Sequence, residues 1–253
     1  MGVVALQELR DLWLGGRALL LSLAFSVLLS VISYLVATNR ALNYLEQRES
    51  VNLTLQVAIA VGALLALLAA ADTISGERER GTLEMLLVTP VSRLRIAGGK
   101  LGGALSLWVA AYAIVIPYVW FLGRGLAVVG NALAVGFVVG TLLAVFLASL
   151  GMLVSVFAGS NRISLSLSLF LLLALFAPTQ FPSSAQKGWA GDLLLRLNPL
   201  TAGEHYVGNI VVDAHSWSED VSLLGSPVVG GVVLAAAALA AGRAVRLRGS
   251  GSA

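Results

Sequence analysis

Four alternating charges, Glu77-Arg78-Glu79-Arg80, interrupt a chain that is otherwise poor in charge. Such a run can open a helix, pair internally or dock a partner protein, and most charge runs simply face water. His205 and His215, with Glu204 and Asp213 nearby, are chemically adequate zinc ligands, but their spacing matches no compact motif. Gly98-Gly99-Lys100 has the glycine and lysine of a phosphate loop. Leu101 stands where the Ser or Thr hydroxyl belongs, however, and the full motif occurs nowhere. The chain is therefore not expected to hydrolyse ATP or to hold a cofactor. Cysteine is absent, which excludes disulfides and thiolate chemistry, and with only Met1, Met85 and Met152 no soft path for Cu(I) exists.

The elements that position these residues follow from composition. Of 253 residues, 58% are hydrophobic and 11% charged, with mean hydropathy +0.91. Soluble domains carry about 25% charged residues, so lipid must cover much of this surface. A spanning helix needs about 20 apolar residues. Runs of that kind lie near 18–37, 53–71, 101–122, 132–158, 163–178 and 224–242, predicting an all-α integral membrane fold with six transmembrane helices in a single transmembrane domain, 1–253. The first run has no cleavage site after it and reads as a signal anchor. With both termini in the cytoplasm, eleven Lys and Arg residues lie inside and five outside, which is the favoured orientation. A net charge of +3 gives no reason to expect nucleic acid.

Three segments lie outside the spans. Residues 3–16 place Leu6, Leu9 and Trp13 on one face and predict an N-terminal interfacial helix. The external segment 179–223 could fold a helix back against the membrane. In the cytoplasmic segment 72–100, Ser75 is positioned to cap a helix with Glu77 and Glu79 in its first turn. Leu83, Leu86 and Leu87 give that helix an apolar face, Pro90 ends it, and Ser92 caps the next helix, which becomes span three. Lys100 is expected to snorkel from the cytoplasmic end of span three, and Pro117 to kink it. Ser22, Ser26, Ser30 and Ser33 share one face of span one. The pairs Gly136/Gly140, Gly98/Gly102 and Gly99/Gly103 suit close helix packing. The near absence of ionisable groups inside the spans argues against ion-coupled transport and intramembrane proteolysis.

The stretch Ile74-Ser-Gly-Glu-Arg-Glu-Arg-Gly-Thr-Leu-Glu-Met-Leu-Leu-Val-Thr-Pro-Val-Ser-Arg93 closely resembles the signature of ABC-2 type transporter permeases, particularly the NosY-like group. The resemblance implies a permease subunit, most often of an exporter, in a prokaryotic plasma membrane. It implies a homodimer or heterodimer with a second permease subunit, and two copies of an ABC ATPase subunit that bind the ATP and Mg. In such families the helix after span two is the coupling helix. Carried onto this sequence, Glu77, Arg78, Glu79, Arg80, Gly81, Thr82 and Glu84 become ATPase contacts, and the link to span five, with Asn161 and Arg162, a second contact. The resemblance also places spans two and five at the dimer centre, so Gln56, Ser164, Ser166 and Ser168 become residues of a substrate path. Two other readings compete: mechanical action on an external partner protein through 179–223, and a membrane scaffold with no ATPase.

Overall fold

The computed structural model describes residues 2–38, 44–83, 91–180 and 189–244. These residues form ten α-helices in chain order: α1 (Gly2–Leu14), α2 (Arg17–Ala37), α3 (Tyr44–Asp72), α4 (Ser75–Arg80), α5 (Arg93–Leu122), α6 (Val129–Phe157), α7 (Asn161–Phe176), α8 (Trp189–Leu197), α9 (Pro199–Val211) and α10 (Gly225–Ala244). Short 3-10 turns cover Ala177–Gln180 and Val221–Leu224, and there is no strand among the described residues. Six stretches, carried by α2, α3 with α4, α5, α6, α7 and α10, are long and apolar enough to cross a membrane. The protein is an all-α integral membrane protein.

The helices outrun the apolar runs that predict them. α3 begins nine residues before position 53, and its 29 residues reach about 43 Å at 1.5 Å per residue. That exceeds the roughly 30 Å hydrocarbon layer, so its polar first turns lie beyond the lipid. Glu, Gln and Arg are good helix formers, so the helix continues where hydropathy has already fallen. α5 likewise starts at Arg93, directly after Ser92, whose backbone is extended but whose side chain makes no cap bond. The Ser92 carbonyl instead accepts from the Arg95 and Ile96 N–H groups. α5 runs through Pro117 as one helix.

α3 and α6 form the central seam, flanked by α5 and α10. Lipid removes the hydrophobic drive between helices, so close backbone approach has to hold them. Glycines provide it. A Cβ at Gly136 would lie 2.7 Å from Leu55 Cδ1, one at Gly140 2.2 Å from Trp108 Cη2, and one at Gly151 2.4 Å from the Leu67 carbonyl oxygen. Trp108 is buried between Gly62 and Gly140 and donates its indole N–H to Thr141 Oγ1 at 3.1 Å. At the start of α5, Gly99 and Gly103 are buried whereas Gly102 is exposed, so only one of the two predicted pairs there is a packing pair.

The serine face of α2 is also used for packing. Tyr118 of α5 sets its hydroxyl 2.7 Å from Ser30 Oγ and 3.2 Å from Ser26 Oγ, and Ser33 is buried. α1 docks on α5 through Trp13, whose indole N–H donates to Ser106 Oγ at 3.2 Å, while Leu6 of the predicted apolar face is exposed. Gly16, at φ 78°, turns the chain from α1 into α2. After α8, Asn198 accepts the Leu200 and Thr201 N–H groups and Pro199 takes the first helical position, so α9 starts cleanly and folds back onto α6.

Candidate functional site

Two polar assemblies occupy opposite ends of α3. At the Asp72 end the helix breaks because a side chain enters its hydrogen-bond ladder. Ser155 of α6 is fully buried, and its hydroxyl oxygen accepts the N–H groups of Ile74 (3.1 Å) and Ser75 (2.9 Å). The Ala71 carbonyl, which the Ser75 N–H would otherwise reach, accepts instead from the hydroxyls of Ser75 (2.8 Å) and Ser164 (2.7 Å). Insertion of a side chain into the ladder is a recognised cause of a helix break. Ser75 thus sits as the first residue of α4, after Ile74 at the cap position, rather than capping the helix as the sequence suggested.

α4 closes with a left-handed glycine. Gly81 has φ 70°; its N–H reaches the Arg78 carbonyl, and the Thr82 N–H reaches the Glu77 carbonyl at 3.0 Å. That paired pattern is a Schellman cap, which favours glycine at this position because a Cβ is strained there. Leu83 is buried just beyond it. Glu84, Leu86, Leu87 and Pro90 lie outside the described residues.

Each charge of the tetrad has a partner inside the protein. Glu77 pairs with Lys100, whose side chain is 2% exposed. Lys100 therefore turns inward and does not snorkel: α5 starts at Arg93, which carries position 100 two turns inside, and Glu77 is within reach. A buried cation is tolerable only when paired. Arg78 donates to the carbonyls of Ala158 (2.5 Å) and Val156 (3.1 Å), satisfying the end of α6. Glu79 accepts the Asn161 N–H at 3.0 Å and so caps α7. Arg80 lies 3.6 Å from Asp72, which also meets Arg17 at 3.3 Å and accepts from Asn161 Nδ2 at 2.7 Å. A Cβ at Gly76 would be 2.2 Å from Asp72 Oδ1, so glycine there admits the carboxylate. Thr82 and Arg162 are exposed.

The cluster thus ties α2, α3, α4, α5, α6 and α7 together through charge-assisted bonds. Sequence reasoning missed Asp72, Ser155 and Arg17 as members. Asp72 opens the motif and was legible as a charge at a span end; a single serine in an apolar run carries no such signal.

At the other end, α3 and α9 flank an open pocket of about 380 Å³ whose lining includes Asn52, Gln56, Thr201, Glu204, His205 and Asp213. Gln56 is thus brought beside Glu204, to whose carbonyl it donates at 3.4 Å. Ser164, Ser166 and Ser168 are not part of this cavity: Ser164 and Ser168 are buried, Ser164 bonding to Ala71, and Ser166 is exposed on α7. Burial pushes the Glu204 carboxyl up to about 7 and His205 below the usual histidine range. His215 stands apart, 2.9 Å from Asp220, which raises its pKa and lowers that of Asp220. No group of three or more His, Cys, Asp or Glu side chains suited to a metal ion occurs among the described residues. The lining was partly readable: Glu49, Asn52 and Gln56 are spaced three and four apart, on one helical face.

A family model described as ABC-2 family transporter protein matches residues 3–241. The chain belongs to the ABC-2 transporter family. No curated protein matches it. The ABC-2 match spans all ten helices except the first residue of α1 and the end of α10, so the Asp72 cluster and the α3–α9 cavity both lie within the family's matched extent. Members of this family are membrane components that work with separate ATPase partners.

Proposed function

We propose that this ABC-2 family protein is the permease subunit of an ATP-binding-cassette exporter of the NosY-like group, and that the α4 end of the molecule receives the ATPase stroke. The observation that carries this reading is the Asp72–Glu77–Asn161 cluster. A short charged helix is bonded to the ends of α3, α6 and α7 and, through Lys100, to α5. A displacement of α4 cannot be absorbed locally without breaking several charge-assisted bonds, so it passes to four spans at once.

Within this reading the tetrad divides. Glu77 and Arg78 build the joint, whereas Arg80, Gly81, Thr82 and Arg162, which face outward, are the surface offered to the ATPase; Glu79 contributes to both. The excess of Lys and Arg on this side supports a cytoplasmic location for this end and both termini. The subunit works as a dimer with two ATPase subunits, which hold the ATP and Mg. The ATPase state has to favour one arrangement of the spans by a few kcal/mol.

The test is affinity purification of this chain from its native membrane in mild detergent, scored for a co-purifying ABC ATPase, comparing wild type with Arg80→Glu/Arg162→Glu. Recovery of the ATPase with wild type and its loss from a well-folded double variant supports the assignment. Equal recovery from both moves the docking surface elsewhere, and absence of any ATPase from both returns the scaffold reading.

A further inference from the structure

α8 lies outside the six spanning stretches, yet one of its faces is largely apolar and open. At about 100° per residue, Trp189, Leu193, Arg196 and Leu197 fall within an arc of about 100°. All four are exposed, Trp189 by 82%, Leu193 by 49% and Leu197 by 67%. Gly191, on the opposite side, is buried, and α8 packs on α9 and α10. A contiguous face of this kind marks contact with something outside the chain.

The depth of the face decides what that is. Asn198, directly after α8, is buried and donates its side-chain N–H to the Leu175 carbonyl at 2.6 Å. Leu175 is the penultimate residue of α7 and lies inside the stretch Asn161–Thr179, which is apolar enough to cross a membrane. The Asn198 side chain also accepts the Leu200 and Thr201 N–H groups, so the α8–α9 junction is held at that level from both sides. Leu197 is one peptide, about 3.8 Å, from this anchor. Its exposed side chain therefore lies beside the last turn of a spanning helix, where hydrocarbon gives way to headgroups. Trp189 ends the same stripe about 12 Å of helix away, and tryptophan favours that boundary. Exposed Trp120 and Tyr34 stand near the ends of α5 and α2 on the same side of the molecule.

We propose that the Trp189–Leu193–Leu197 face of α8 is a lipid-binding surface bedded in the outer leaflet, with Arg196 at its edge reaching the headgroup phosphates. The helix has nine residues, too few to span, so it lies along the interface. Arginine suits the edge of such a face, because its stem covers acyl chain while the guanidinium meets phosphate. The surface concerns contact between this chain and lipid alone, and holds whether or not an ATPase engages α4.

The chain has no cysteine, so a single introduced cysteine carries a nitroxide label at one defined place. The full chain is labelled in phosphatidylcholine vesicles, and collisions with O2, which concentrates in hydrocarbon, are compared with collisions with a water-soluble nickel chelate. Val232→Cys, at an exposed position within the α10 span, sets the lipid value, and Ser218→Cys, in the exposed loop after α9, sets the water value. Leu193→Cys and Leu197→Cys are expected to match Val232→Cys, with the nickel collisions of Ser218→Cys lost. Arg196→Cys is expected to fall between the two references. Labels at 193 and 197 that behave like Ser218→Cys place the face in water and overturn the proposal. Labels shielded from both reagents place it under protein, a second copy or an external partner, and overturn it equally. A measurement without labels stands beside these: the fluorescence difference between wild type and Trp189→Phe should be quenched by brominated phosphatidylcholine, and an unquenched difference overturns the proposal.

Discussion

Lys100→Met tests the inward turn of Lys100 directly. The side chains of Lys100 and Glu77 are 2% and 18% exposed, so removing the cation strands a carboxylate in a mostly dry joint. Breaking a buried pair by removing one partner costs about 3–5 kcal/mol; the residual exposure of Glu77 puts this case near about 3 kcal/mol. For chains of this size 1 kcal/mol moves Tm by about 2–4 °C, giving a fall of about 6–12 °C. The assay is thermal unfolding of the purified protein in detergent, followed by tryptophan fluorescence. A second variant, Lys100→Met/Glu77→Met, removes both charges and should recover most of the loss, because an apolar pair of similar volume has no desolvation cost. The coupling energy of the cycle should then be about 2 kcal/mol or more. If the single variant melts within about 2 °C of wild type, or the double variant is as destabilised as the two singles added, the two side chains do not meet as described.

Ser155→Ala leaves the buried Ile74 and Ser75 N–H groups without their acceptor, and should lower stability by about 2 kcal/mol in the same melting assay, with Ser166→Ala as a neutral control. Gly140→Ala places a methyl group 2.2 Å from Trp108 Cη2 and should cost about 1–3 kcal/mol. Gly102→Ala, with nothing within 4 Å, should be neutral or mildly stabilising. Glu204, whose folded pKa of about 7 exceeds its ordinary 4.5, holds its proton more tightly when folded than when unfolded. Its contribution to stability is therefore present below about pH 4.5 and lost as pH rises through about 7. Melting across that window should show this slope in wild type and not in Glu204→Gln.

The six spans were legible because lipid demands long apolar runs, and their count survives any error in where each begins. The ends were not, because hydropathy reports the lipid contact and not the helix: α3 starts nine residues before position 53 and α5 eight before position 101. The charged tetrad was visible as a motif, but its partners were not. Glu77 meets Lys100 across 23 positions, Arg78 meets Ala158 across 80, and only tertiary packing brings these together. The cavity was legible in half. Polar residues at helical spacing on α3 mark one wall, whereas the other wall belongs to a segment whose fold depends on Asn198 and Pro199 starting α9 at the right place.

The three glycines of the α3–α6 seam have a mechanical meaning. At Gly151 a backbone carbonyl lies where a side chain would stand, and main chain cannot change rotamer to relax a shear. At Gly136 and Gly140 the neighbours are the Leu55 and Trp108 side chains, so Gly151 is the point where the seam is main chain against main chain. If the ATPase engages the Asp72 end as proposed, that backbone contact is where α3 and α6 are expected to move together. Under the proposed function, a push on α4 is expected to shift the Asn52 end of α3 together with its Asp72 end.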